Sequence, residues 1–323
     1  MPEVLEFEFM RRAILAAALV GAIAPAFGVF LVLRRLSLIA DSLSHVALAG
    51  VAIGLLTKIY PPYIALAATS TAAVSIEELR ARRMLPGDAA LAVFLYGALA
   101  IAVVIISIAG GFNSDLFSFL FGSILTVTAA DLVMIGALAV FVVVFLTVFS
   151  SELAQAAFDT DLARINGVRV HLLNIGLALI TGATITLAMR VVGVLLIGAL
   201  IVVPVLVALR ISSGLARTVV VAGVAGVVTA VTGMVISFYA DIAPGGSVVL
   251  TGIGLLVLVE VAHLVRSRLK RSHGALGPHS HDHTVHAHAA DRAGQANAGG
   301  SGVRVESGRP IGPVLLPDDK PKP

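Results

Sequence analysis

The chain has 323 residues, of which 58% are hydrophobic and only 13% charged, with a formal net charge of +3 and a mean hydropathy of +1.02. Soluble domains carry about a quarter charged residues, so this composition excludes an ordinary soluble globule and points to a chain solvated by lipid. There is no cysteine, which excludes disulfides and thiolate metal sites.

In chain order, residues Met1 to Arg12 place acids before arginines. The apolar run that follows is too long for a signal-peptide core and lacks a cleavage site, so it reads as a retained first span. Continuous apolar runs predict spans over roughly 12–33, 37–57, 62–79, 89–109, 131–149, 171–189, 192–211, 215–238 and 247–265. Each is near the ~20 residues a helix needs to cross the hydrocarbon layer, and none shows the alternation of a membrane strand. The fold class is therefore an all-α membrane protein, a polytopic transmembrane helix bundle of about eight to ten spans, nine by direct count. The segment 115–126 is apolar but short, as a half-helix or interfacial element would be. With no tryptophan, the interfacial belt rests on a few Tyr and Phe.

Arginine placement orients this bundle. Arg34, Arg35, Arg80, Arg82, Arg83, Arg210, Arg217, Arg266, Arg268, Lys270 and Arg271 all fall on one side of a consistent weave, taken as cytoplasmic. The opposite links carry Asn113, Asp115 and Asp241, with Lys58 and Arg190 as their positive charges. The direct count puts the N-terminus outside. After residue 271 the composition turns to His, Gly, Ala, Pro and Asp, too polar to bury a core. The chain thus divides into a membrane domain, 1–271, and a disordered His-rich cytoplasmic tail, 272–323.

Three groups of residues carry chemistry. Asp41 and His45 lie four apart inside a predicted span, which puts both on one helical face. Ionisable groups within a membrane mark a pathway or pair with a partner. Carboxylate oxygen with imidazole nitrogen suits Zn²⁺ or Mn²⁺; the alternative is an Asp–His pair that only hydrogen-bonds within the bundle. Next, the charged loop near 152–169 contains a short amphipathic stretch ending at Gly167. It is either a helix that docks in a partner's groove or a plain connector. Last, the tail histidines His279, His281, His283, His286 and His288 form a flexible tract that can bind metal weakly through neutral imidazoles, or simply a low-complexity tail. Arg190 reads as an interfacial anchor, and Glu77 and Glu78 as surface ion pairs. No Gly-x-x-x-x-Gly-Lys-Ser/Thr phosphate loop and no nucleophile–base–orienter set occurs. The chain is therefore not expected to be an enzyme, and any ATP hydrolysis falls to a separate subunit.

Four blocks follow one another in order: GVFLVLRRLSLIADSLSH from Gly28 to His45, DLFSFLFGSIL from Asp115 to Leu125, RVVGVLLIGALIVVP from Arg190 to Pro204, and SFYADIAPGG from Ser237 to Gly246. In these the chain resembles the ABC-3 family, the membrane permeases of zinc, manganese and iron ABC importers, over nearly all of 10–262. Gly198 and residues 205–207 depart from the family's usual pattern. The resemblance implies an ABC importer permease that pairs with itself, binds two cytoplasmic ATPase subunits and receives metal from an extracytoplasmic metal-binding protein. It implies a place in the cell membrane, contact with membrane lipid and none with nucleic acid. It also implies that Asp41 and His45 are pathway ligands and that the Asp161, Ala163, Gly167 pattern couples to the ATPase. No cofactor is expected to be permanently bound; the metal, zinc first and manganese second, is cargo. Secondary transport without ATP, passage of a metal chelate such as a siderophore, and metal sensing without transport are the competing readings.

Overall fold

The computed structural model describes residues 6–82, 87–111 and 114–274, with the side chains of 87, 114–115 and 266–274 excepted. Twelve α-helices and one 3₁₀ turn follow one another in this part, and no strand occurs among the described residues. We number them α1 (Glu8–Leu33), α2 (Leu38–Thr57), α3 (Pro61–Ala81), α4 (Gly87–Ile108), α5 (Ser114–Phe121), α6 (Ala129–Val148), α7 (Ser150–Phe158), α8 (Thr160–Ile165), α9 (Val170–Ala188), α10 (Ile197–Ile211), α11 (Leu215–Ala240) and α12 (Pro244–Gly274).

Each of the nine expected spans corresponds to a helix, but not all are equal. Seven are long and apolar enough to cross a membrane: α1, α2, α4, α6, α9, α11 and the Pro244–Val265 part of α12. Helix α3 is long enough, but Glu77, Glu78 and Arg80 in its last two turns reduce its apolarity. Helix α10 has only 15 residues, about 22 Å of rise. The expected span over 192–211 is therefore helical only from Ile197. The short segment 115–126 forms the one-piece helix α5 and a 3₁₀ turn at Ile124–Thr126.

The delayed start of α10 has a local cause. Gly122 (φ +79°) and Gly193 (φ +90°) adopt the left-handed region, which glycine tolerates best. Their turns let two strips of backbone meet. Val194 N–H donates to Phe119 O (2.9 Å) and Ser123 N–H to Arg190 O (3.0 Å). A Cβ on Gly193 would lie 2.5 Å from Leu120 O, and one on Gly122 2.6 Å from Val191 O. Irregular backbone in an apolar bundle survives where protein, rather than lipid, satisfies it.

Helices α1 and α2 form the centre, with 67% and 72% of their apolar windows buried in protein, whereas α4, α6 and α12 bury 22%, 28% and 11%. Fully buried Met10, Phe27, Leu31, Ile39, Leu43, Ile135, Leu177 and Ile197 join α1, α2, α6, α9 and α10 in one core. The outward residues of the peripheral helices, such as Val93, Val133, Val140 and Leu258, are apolar as well, as a lipid-facing surface requires. Small residues set the closest crossing. A Cβ on Gly21 of α1 would fall 2.6 Å from Gly226 O of α11, so the two backbones touch, as glycine faces allow between membrane helices. Hydroxyls add cross-links: Ser42 Oγ donates to Leu91 O between α2 and α4 (3.0 Å), and Thr69 Oγ1 meets Thr186 Oγ1 between α3 and α9 (3.2 Å).

The two ends of the bundle differ in charge. Arg34, Arg80, Arg164 and Glu77 share one cavity, so the α1–α2 link, the end of α3 and α8 lie together. Arg210 at the end of α10 pairs with Glu260 of α12 at 2.5 Å. At the opposite end, the ring of Phe7 before α1 packs at a tilt against Phe238 near the end of α11, with Asp241 in the link that follows. Arg11 and Arg12 also belong to this end, Arg12 being paired with Glu8.

Helix α12 runs on to Gly274, past the boundary at 271 read from composition. By internal contacts the chain forms two units, Met1–Arg268 and Leu269–Pro323. The tail histidines His279, His281, His283, His286 and His288 lie outside the described residues.

Candidate metal pathway and coupling surface

Asp41 sits in the first turn of α2 and His45 one turn further on. Asp41 Oδ1 lies against the backbone of Gly198, where a Cβ would otherwise stand. Gly198 is the second residue of α10, so the carboxylate rests beside the start of a broken helix. A negative charge is favoured at a helix N-terminus, and the interrupted helices of transporters characteristically meet their polar ligands at such starts. His45 is half-buried, and its Nδ1 is fully buried without a hydrogen-bond partner. No hydrogen bond joins Asp41 to His45 or to any other described side chain, so the two are not a self-satisfied polar pair. The nearby Ser42 and Ser44 are buried and already spent on backbone carbonyls, Ser44 Oγ donating to Ala40 O at 2.8 Å.

This pair fits a transition metal as a half-site. It offers one oxygen and one nitrogen on the same helical face. Among the described residues, no group of three or more His, Asp or Glu comes together to hold a metal. Glu260 and His263 of α12 lie far down the last span, where Glu260 is engaged by Arg210.

The loop near 152–169 folds as α7 and α8 at the arginine-rich end. Asp159 caps α8, its Oδ1 accepting from Asp161 N (2.9 Å) and Leu162 N (3.0 Å). Gly167 closes it with φ +83°, and Val168 N–H returns to Ala163 O at 3.0 Å. This is the left-handed glycine stop. Ala163 is fully buried against Ala156 and Val170, so it seats α8 and does not face outward. Asp161 is exposed and pairs loosely with Arg164 at 3.4 Å. The outward surface is apolar: Phe158, Leu162 and Ile165 are 79%, 54% and 82% exposed. The sequence pattern singled out the frame of this element and missed these three side chains, whose signal is apolar residues on an otherwise charged loop.

Sequence reasoning also missed a buried cluster at the opposite end. Arg190, after α9, places Nη1 2.8 and 3.0 Å from the two oxygens of Asp131 and 2.9 Å from the Tyr60 hydroxyl. Asp131 is 6% exposed, and its Oδ2 also accepts from Thr128 N (2.9 Å) and Thr128 Oγ1 (2.7 Å), capping α6. Burial pushes the Tyr60 hydroxyl above its ordinary pKa, with Arg190 opposing. Arg190 is thus a structural tie among three elements, held just before the turn that leads to Gly198. Glu77 is likewise buried, at 2% exposure, and pairs with Arg80 at 2.5 Å, whereas Glu78 lies outside with Arg82.

Comparison with known proteins gives this geometry a context. The sequence model of the ABC 3 transport family matches residues 6–263. A probable metal transport system membrane protein of Treponema pallidum is 37% identical over 79% of this chain and 96% of its own length. The high-affinity zinc uptake system membrane protein ZnuB of Haemophilus influenzae is 29% identical over 78% of this chain and 97% of its own. The manganese import system permease protein ScaB of Streptococcus gordonii is 29% identical over 79% and 91%. Among solved structures, PsaBC from Streptococcus pneumoniae in complex with Fab aligns with a TM-score of 0.71 at 27% identity, over 79% of this chain and 92% of that one.

Proposed function

The chain belongs to the ABC 3 transport family, and on that premise we propose that it is the permease subunit of an ATP-driven importer of a divalent transition metal. It is a multi-pass protein of the cell membrane. The observation that carries the metal reading is the Asp41–His45 pair: a carboxylate against a helix start, and a buried imidazole nitrogen without a partner, one turn apart. Zinc is the first cargo and manganese the second. Relatives carry names with both metals; imidazole chemistry, in His45 and in the tail histidines, favours zinc. One chain supplies two ligands where zinc takes four, so a second copy of the permease, contributing its own Asp41 and His45, would complete the set.

The drive comes from outside this chain, which has no phosphate loop. The arginine-rich end is the cytoplasmic one by the positive-inside rule, and ATPase subunits dock there on the apolar surface of α7 and α8. A metal-binding protein delivers cargo at the opposite end. In proteoliposomes holding the chain with its ATPase, zinc or manganese uptake requires ATP. Asp41→Ala and His45→Ala each reduce it to background while the ATPase still co-purifies. Full uptake by both variants removes the pair from the pathway. Uptake by the chain alone, without ATPase, establishes secondary transport instead, and preference for a chelate over the free ion reassigns the cargo.

A further inference from the structure

At the arginine-rich end, a cavity of about 620 Å³ lies between the α1–α2 link, the end of α3, α7, α8 and the start of α9. Four arginines line it, Arg34, Arg35, Arg80 and Arg164, against one carboxylate, Glu77. Glu77 is already engaged by Arg80. The remaining guanidinium charge has no counterpart in the lining: Arg164 reaches only the exposed Asp161, at 3.4 Å.

Three of the lining side chains also keep buried polar atoms without a partner: Arg34 Nη1, Arg80 Nε and Asn174 Oδ1. Buried polar atoms are ordinarily met, and leaving one unmet is costly. The Asn174 amide can turn either its oxygen or its NH₂ towards an incoming group. Burial holds the Arg34 guanidinium below its ordinary pKa; Glu77 opposes this, and Arg80 and Arg164 add to it. Burial first, and the neighbouring arginines after it, disfavour the Arg34 charge, which a bound anion relieves and a bound metal cation worsens.

We propose that this cavity binds a phosphate group, held by Arg34, Arg35, Arg80 and Arg164 together. Its volume is that of a small-molecule site. Guanidinium forks arriving from separate elements suit the several oxygens of a phosphate better than a lone carboxylate. Basic pockets among membrane helices at the cytoplasmic side take phosphorylated headgroups, so the phosphate comes either free or on an anionic lipid. The site is separate from the metal pair and does not depend on which ion is carried. It bridges α8, the coupling segment, to the α1–α2 link that leads directly into Asp41. Occupancy therefore stiffens the connection between the two.

The test uses the full-length chain purified in a neutral detergent, with sodium phosphate added against sodium chloride at equal ionic strength. In a second arm the chain sits in phosphatidylcholine nanodiscs with and without phosphatidic acid. A saturable rise in Tm in the first arm identifies a free anion. A rise only in the second, with phosphatidic acid retained on the chain in native mass spectrometry, identifies a lipid headgroup. Arg34→Gln and Arg164→Gln each weaken half-saturation by about tenfold or more, as expected for loss of a charged hydrogen bond. Arg217→Gln, an exposed arginine at the same end but outside the cavity, leaves it unchanged. Arg164 is mostly exposed, so that variant keeps the test sound if Arg34→Gln fails to fold. No Tm rise in either arm, or an equal rise in all three variants, overturns the proposal.

Discussion

Removing Asp131 should strongly destabilise this bundle at the end opposite the cavity of Arg34, Arg80 and Arg164. Asp131→Ala deletes the carboxylate that caps α6, a loss of about 1 kcal/mol. It also strands Arg190, whose side chain is 18% exposed, and leaving one member of a buried pair uncompensated costs about 3–5 kcal/mol. Discounting for that residual exposure, the sum is roughly 3–5 kcal/mol. At about 2–4 °C of Tm per kcal/mol for a chain of this size, the fall is on the order of 10 °C. Arg190→Met alone should fall by a similar margin, because it strands Asp131 but keeps the Thr128 hydrogen bonds. The double variant Asp131→Ala, Arg190→Met should recover part of the loss, since no charge is left buried. The assay is thermal unfolding of the purified chain in one detergent, with the three variants closing a double-mutant cycle. Strictly additive losses, with the double variant the least stable of all, would refute the reading of Arg190–Asp131 as a coupled buried pair.

Other outcomes follow from the same geometry. Gly21→Leu forces a side chain into the Gly226 backbone and should destabilise the chain by about 3 kcal/mol or more; Gly97→Ala, with nothing within 4 Å of its Cβ, should leave Tm within about 2 °C, and an equal effect of the two would show that α1 and α11 do not touch there. Phe158→Asp with Ile165→Asp should weaken ATPase co-purification by at least about tenfold with Tm unchanged, since both side chains are exposed; unaltered binding would move the docking surface elsewhere. Deleting the residues after 274 should leave ATP-driven uptake largely intact, measured as initial rates at saturating metal, and loss of uptake would make the tail part of the transport cycle.

The sequence carried what depends on short range. Span positions follow from runs of apolar residues, and the shared face of Asp41 and His45 from a spacing of four. What it could not carry is set by partners far along the chain. Arg190 read as an interfacial anchor because its counter-charge, Asp131, is 59 residues away. Glu77 and Glu78 looked alike as neighbours, yet adjacent helical residues point about 100° apart, so one faces Arg80 in the interior and the other Arg82 outside. Hydropathy read 192–211 as one span because it registers apolarity and not backbone direction; the turn at Gly193 breaks the helix without breaking the apolar run. Gly198, a departure from the expected pattern in sequence, is where Asp41 rests in the structure.

The glycine crossing of α1 and α11 bears on how the chain is made. Helix α1 is among the most enclosed in the finished bundle, yet its partner at the crossing is α11, which is made much later. Between Gly21 and Gly226 some 205 residues must be synthesised, which at about 5–20 residues per second takes roughly 10–40 s. During that interval α1 waits in the bilayer with its glycine face open to lipid. It can do so because lipid solvates an apolar helix as well as protein does, and because beyond Arg12 it carries no charge to hide. Assembly therefore closes late, when α11 arrives, and a chain halted before residue 215 would be inserted but not yet folded.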